Sequence, residues 1–322
     1  MRRDWDAIIV GGGPAGLSAA LLLGRARRRV LLCDSGEHRN DRAVAMHGFL
    51  TRDGIPPAEL RRLAREELRA YPGVTVADRR VVEAERADPG FAVTLEGEAA
   101  PLRSRRLLLA TGMVDELPDL PGLDALWGRD AWHCPYCDGY ERRDQPLAVY
   151  GEGRLGVKMA LEVRSWSHDL VLCTGGSRID GRDRKRLAGL GVGLRENRLV
   201  ALEQEGGRLR ALRFADGSEL PRRGLFLAVP QRQRCELAER LGCGRTRQGM
   251  IRAGHDGSTG VPGLYVAGDA SPHVQLAIVA AAQGSMAAFA LNAELLREDL
   301  QAEGGGSPGL DAAARDITSD SS

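Results

Sequence analysis

Apolar and polar positions along this chain fall into short blocks that switch between two periods. Asp6-Ala7-Ile8-Ile9-Val10 is an unbroken apolar run behind one acid, the pattern of a strand buried on both faces. A glycine-rich turn follows, then an apolar helical stretch from Leu17 to Leu23, a basic turn from Arg25 to Arg29, and a second run, Val30-Leu31-Leu32-Cys33. The same order recurs later. Leu147-Ala148-Val149-Tyr150 leads into a second glycine-rich turn, a helix through Arg164 and the run Asp169-Leu170-Val171-Leu172-Cys173. Two more apolar runs, ending at Leu109 and Val266, each close on glycine, and a long helical pattern extends from Leu276 to Asn292. Strand–helix–strand units of this kind predict an α/β protein with parallel sheets.

The turns carry chemistry. Gly11-Gly12-Gly13-Pro14-Ala15-Gly16 has the dinucleotide spacing. Gly11 makes the tight turn, Gly13 admits a pyrophosphate, and Gly16 lets the helix pack on its strand, with Pro14 and Ala15 opening the helix. Asp34 stands about twenty positions on, where an acid grips a ribose. Gly151-Glu152-Gly153-Arg154-Leu155-Gly156 repeats the form less well. Glu152 sets a like charge against any pyrophosphate. Thr174-Gly175-Gly176-Ser177 stands where a 2′-phosphate clamp of arginines belongs, and Arg178, Arg182 and Arg184 come only later. The fold class is therefore α/β with two Rossmann-like dinucleotide-binding domains, the second retained as a fold without its nucleotide.

Trp132-His133-Cys134-Pro135-Tyr136-Cys137-Asp138-Gly139-Tyr140 lies between the two fingerprints. Cysteines at this spacing close a small, easily reduced disulfide whose first sulfur is reachable. A zinc site needs four ligands, and only His133 is near; no metal is expected. Cys33, Cys173, Cys235 and Cys243 have no framework spacing and read as free thiols of a reducing compartment. With a net charge of +1, 43% hydrophobic content and no signal peptide, the chain is expected to be cytoplasmic, with neither nucleic acid nor a membrane as partner.

In their order, these motifs resemble the low-molecular-weight thioredoxin reductases. The points of likeness are the first fingerprint, Ala110-Thr111-Gly112, the cysteine pair ahead of a degenerate second fingerprint, and Gly268-Asp269 before the last helix. Met46-His47-Gly48-Phe49-Leu50-Thr51-Arg52-Asp53-Gly54 and the cysteine segment look closer to a side branch. That branch includes gliotoxin- and holomycin-type dithiol oxidases and ferredoxin-type reductases without a usual NADPH motif. The resemblance implies FAD as cofactor, Asp269 on its ribityl chain, and the backbone amides around Gln275 and Leu276 aimed at its ring. It implies that Cys137 lies over the flavin, that Cys134 exchanges with a thioredoxin-like protein or a small dithiol, and that Asp138 moves the proton. Ferredoxin is a possible electron donor, NADPH is doubtful as one, and a homodimer is expected. Gln275-Leu276 departs from the reductases' Arg-Gln, which leaves the ring contacts open.

His47 and His133 are further candidate bases, with His133 expected to face away because strand neighbours alternate; His273 could cap the last helix or touch the flavin. The expected organisation is an FAD domain of residues 1–116 and 246–300, an inserted NAD(P)H-type domain of 117–245 carrying the cysteines, and a flexible polar tail of 301–322.

Overall fold

The computed structural model describes residues 5–304. From the N-terminus it runs through β1 (Trp5–Val10), α1 (Pro14–Arg25), β2 (Val30–Cys33), α2 (Pro57–Leu68), β3 (Val74–Ala77), β4 (Val81–Arg86), β5 (Phe91–Leu95) and β6 (Leu102–Leu109). The middle of the chain gives β7 (Met113–Asp115), α3 (Leu123–Leu126), β8 (Ala131–Trp132), α4 (Pro135–Asp138), β9 (Leu147–Tyr150), α5 (Gly153–Val163), β10 (Leu170–Cys173), α6 (Gly181–Gly189) and β11 (Gly193–Arg195). Then come β12 (Leu199–Glu205), β13 (Arg208–Phe214), β14 (Glu219–Pro221), β15 (Gly224–Leu227), β16 (Gln231–Gln233), α7 (Leu237–Arg240), β17 (Leu264–Val266) and α8 (Ala277–Gly304).

A seven-stranded sheet has the order β3-β2-β1-β6-β5-β4, with β17 also on β6. Its centre is parallel: β1 pairs with β2 and β6, and β17 extends it. Ile8 and Ile9 point to opposite faces and both are fully buried, because helices α1 and α8 cover one face and α7 with its neighbours the other. The second sheet, β11-β10-β9-β15-β8, is parallel throughout. An antiparallel β12-β13-β14 sheet packs beside it. This is the mixed α/β architecture that the two periods predict.

The chain crosses between the two units as a paired ribbon, β7 antiparallel to β16. The packing moves the second boundary. Leu237, Leu241, Cys243 and Ile251 share one apolar layer with Ile8 and Leu107 under the larger sheet, so the return crossing is at β16, ahead of the expected residue 246. The last helix also runs past the expected end at 300, to Gly304; the rest of the expected tail lies outside the described residues.

Helix α8 is long and apolar enough to cross a bilayer by length and composition. Its inner face is committed to the core instead. Ala287, Ala288, Leu291 and Leu295 are fully buried against α1, and a Cβ on Gly284 would stand 1.9 Å from the Ala15 carbonyl oxygen, so only glycine lets the two helices meet this closely.

Candidate active site

The first fingerprint folds as its spacing dictates. Gly11 has φ +117° and a Cβ there would meet the Ala110 carbonyl oxygen at 2.2 Å; a Cβ on Gly16 would meet the Gly11 carbonyl oxygen at 1.9 Å. Gly13 differs from both, because its Cβ position has no neighbour within 4 Å. It opens into a cavity that also runs past Asp34, Asp269 and the cysteine pair, the concave setting in which cofactors bind. Helix α1 starts at that cavity with no side-chain cap, Pro14 in its first turn and no acid there. Its free N–H groups and dipole are left for an anion.

Asp34 lies at the cavity edge, 2% exposed. Its carboxylate accepts from the Gly36 amide at 2.9 Å and from Arg65 at 2.5 Å, and His38 Nε2 stands 3.2 Å from Oδ1. Burial alone would raise its pKa; His38, the Gly36 N–H and Arg65 outweigh that and hold the acid well below the usual carboxylate range.

Across the cavity, Gly268 and Asp269 form the turn after β17. Gln283 Oε1 accepts from the Gly268 amide at 2.9 Å and so ties the turn to α8. Asp269 Oδ2 accepts from Arg39 Nη1 at 2.9 Å. The same nitrogen donates to Gln275 Oε1 at 2.7 Å, while the rest of the guanidinium forks onto Asp115 at 2.9 and 2.6 Å. Gln275 Nε2 in turn donates to Gln231 at 3.0 Å. The Gln275 side chain is thereby held within this set, and the start of α8 contributes Leu276 and Ala277 to the cavity wall. Thr111 and Gly112 line the same wall.

The smaller unit closes the cavity with His133, Cys134, Cys137 and Asp138. Cys134 caps the four-residue helix α4, with Pro135 in its first turn, and its sulfur is bonded to that of Cys137. Tyr136, between them, is 69% exposed. The pair borders the cavity and is half-buried, next to this exposed side chain. Asp138 has its carboxyl pushed up to about 7 by burial, with Glu141 adding to the rise and His47 and Arg142 opposing it. A group poised there moves protons efficiently near neutral pH.

Two of the histidines lie where the cavity can use them. His133 lines the wall, contrary to the expectation that alternation turns it away. The strand ends at Trp132, so alternation stops governing the next residue. Its Nδ1 is 3.7 Å from Asp115. Burial and the Arg39 cation push its pKa down to about 4 against the pull of Asp115 and Asp269, and the ring is neutral. His47 also lines the cavity. His273 is not part of that wall; it stacks on His255 with ring centroids 6.3 Å apart. Sequence reasoning missed Arg39, Asp115, His38, Arg65, Gln231 and Gln283; His38 is held locally by Asp34 and Asp41, and the others by contacts with segments farther along the chain. No local pattern in the sequence marks them.

The second fingerprint keeps the turn but not the surroundings. A Cβ on Gly156 would meet the Gly151 carbonyl oxygen at 2.1 Å, the same close approach as in the first. Glu152 is the exposed N-cap of α5 and makes no capping bond. Thr174 is buried and its hydroxyl donates to the Ser177 carbonyl. Arg184 is paired with Glu196 at 2.6 Å, while Arg178 and Arg182 are exposed.

Comparison with known proteins agrees with this geometry. The family model described as pyridine nucleotide-disulphide oxidoreductase matches residues 5–284. A probable thioredoxin reductase of Arthroderma benhamiae is 30% identical, over 92% of this chain and 82% of its own length. Thioredoxin reductase tcpT of Claviceps purpurea is 33% identical over 82% and 86%. Among solved structures, HlmI superposes with a TM-score of 0.89 at 39% identity, covering 98% of both chains. A putative thioredoxin reductase TrxB from Bacillus anthracis gives 0.87 at 33%, covering 92% of this chain and 99% of that one. The chain belongs to the pyridine nucleotide-disulphide oxidoreductases, an FAD-binding family of enzymes that act on disulfides, and within it to the thioredoxin reductase-like side branch.

Proposed function

We propose that this protein passes electron pairs between FAD and a partner dithiol or disulfide through Cys134 and Cys137, without standard use of NADPH. The observation that carries the reading is the shared cavity: the disulfide and the uncapped N-terminus of α1 border the same space. The residues there fit a dinucleotide. Gly13 leaves room for a pyrophosphate against the free amides of α1, and Asp34 stands at the ribose position. Asp269 has Oδ2 on Arg39 and Oδ1 free for a ribityl hydroxyl. When bound, the flavin supplies a two-electron store.

The protein's own part is thiol exchange. A partner thiolate attacks Cys134, the bond to Cys137 breaks, and Cys137 leaves as a thiolate facing the flavin side. Asp138 takes the proton of the attacking thiol. A second partner thiolate then closes the partner disulfide and releases Cys134. The exposed Tyr136 beside Cys134 favours a partner arriving from solvent, either a thioredoxin-like protein or a small dithiol.

Glu152 and the Thr174–Ser177 turn argue against NADPH at the second fingerprint; oxygen or ferredoxin is the other end of the electron path in this reading. Ile278, Met286, Phe289, Leu296 and Leu300 are exposed along the outer side of α8, at helical spacing, which supports a homodimer through that face. Cys33, Cys173 and Cys243 are buried free thiols, in keeping with a cytoplasmic setting.

The test is anaerobic bleaching of the oxidised-flavin band by a small dithiol, by reduced ferredoxin and by NADPH, each added alone. Fast bleaching by dithiol, lost in Cys134→Ser and Cys137→Ser, is the expected result. Fast bleaching by NADPH would overturn the reading of the second fingerprint, and activity in both cysteine variants would overturn the whole.

A further inference from the structure

The loop between β2 and α2 brings a histidine to the redox pair from a different part of the chain. His47 lies on the cavity wall with Cys134, Cys137 and Asp138. Its Nδ1 is buried and has no hydrogen-bond partner among the described residues. It points between two carboxylates just beyond bonding reach, Asp53 Oδ1 at 3.6 Å and Glu141 Oε1 at 3.7 Å. An unpartnered buried ring nitrogen carries a cost, and here it stands between the cavity and two acids that reach water. Asp53 is 69% and Glu141 40% exposed at the side chain.

The loop is built to hold this ring. The Gly48 amide donates to Asp53 Oδ1 at 2.7 Å, Met46 and Ile55 pair as an antiparallel bridge, and the Gly54 Cβ position lies 3.8 Å from His47 Cε1. The charged groups around the ring come from three segments: Asp53 from its own loop, Asp138 from α4, and Glu141 with Arg142 from the turn that follows α4. With Nδ1 turned to Asp53 and Glu141, Nε2 is the nitrogen left for the cavity side.

We propose that His47 is the proton relay between Asp138 and solvent. The idea rests on the exchange chemistry assigned above to Cys134 and Cys137. Reduction of that disulfide by a dithiol turns two S–H groups into one new S–S bond and releases two protons, while the electron pair goes to Cys134 and Cys137. Asp138 accepts one proton at a time, and without an exit it stays protonated and cannot serve the second exchange. His47 takes the proton at Nε2 and gives one up at Nδ1 to Glu141 or Asp53, from which it passes to water. The reverse flow serves reduction of a partner disulfide. His47 acts through Asp138 and does not touch sulfur.

The experiment follows the disulfide itself. The purified protein is mixed anaerobically with dithiothreitol in imidazole-free buffers across neutral pH. It is then quenched with an alkylating agent and weighed, so that each freed thiol counts by mass. His47→Gln is expected to slow reduction by at least about tenfold, a smaller effect than loss of a primary acid–base group, and to remove the inflection near pH 7 that Asp138 imposes. His47→Ala is expected to be slow and to recover with added imidazole. Wild-type rates in His47→Gln would overturn the proposal; so would a slow His47→Ala that imidazole does not restore, since that is the behaviour of a structural histidine. Flavin bleaching by the same dithiol in the wild-type protein is the control for the reading beneath it. If the disulfide is reduced but the flavin never bleaches, the error lies there; if the flavin bleaches fast and His47→Gln is normal, only the relay fails.

Discussion

The two glycine-rich turns are nearly the same object in different company. Each presses its last glycine onto the carbonyl of its first, with would-be Cβ contacts of 1.9 Å at Gly16 and 2.1 Å at Gly156. Each joins a buried parallel strand to a helix. The first opens through Gly13 onto the cavity shared with the disulfide, uncapped and free of acids. The second places Glu152 at the helix start and closes its far side with Thr174 on Ser177. On the proposed reading, the backbone requirement of the fold is separable from the electrostatic requirement of the ligand, and the second turn keeps the first of these without the second.

That contrast can be broken most forcefully at Gly13. Gly13→Glu meets nothing within 4 Å, so the protein folds, and it brings a carboxylate into the first fingerprint one position beyond the one that Glu152 occupies in the second. Flavin affinity is expected to fall about 100-fold, or about 2.7 kcal/mol, by fluorescence titration of the apoprotein. Unchanged affinity would mean that charge at this turn is irrelevant. Next in size, Arg39→Lys keeps the charge but loses the fork onto Asp115. Flavin affinity should drop about tenfold, measured the same way, whereas a normal value would remove Arg39 from the account of the first site.

Asp138→Asn sharpens the role of the shared cavity in a different quantity. A carboxyl raised from 3.8 to about 7 lends stability that is complete below about 3.8 and is lost as pH rises through about 7. The variant should therefore melt higher than wild type above neutrality and lose the difference in acid. His133→Gln works from the opposite side. Its ring is lowered from 6.5 to about 4, so wild-type stability falls as pH drops between those values. The variant should flatten that part of a melting-temperature profile, and an unchanged profile would mean that His133 is solvated. The smallest effect belongs to Glu152→Gln. Flavin bleaching by NADPH should rise no more than about threefold, because removing one repulsion supplies no phosphate clamp. A jump of orders of magnitude would show that the carboxylate alone had closed the site.

What the sequence showed and what it hid follow from distance along the chain. The fingerprints, the paired cysteines and Gly268-Asp269 are local patterns, and all of their residues named in advance except Gln275 need only short-range geometry to be recognised. Arg39 is different: its partners are 76, 230 and 236 residues away. Nothing near Arg39 marks it, and nothing near Asp115 says that it will be buried with an arginine. His133 was misjudged because alternation was carried one residue past the end of β8. The early return of the chain at β16 was hidden for a related reason: α7 is short and mixed, and only packing reveals which sheet it covers.

The paired crossing of β7 and β16 limits which relative displacements of the two units would leave its hydrogen bonds whole. Two separate tethers would let the smaller unit swing and stretch in several directions. Bonded side by side, and with Asp115 and Gln231 both tied through Arg39 and Gln275 to the flavin-side turn, they behave as a single torsion leaf. A rotation of the cysteine unit about the ribbon's long axis would keep these ladder bonds, whereas a swing on one crossing alone would break them.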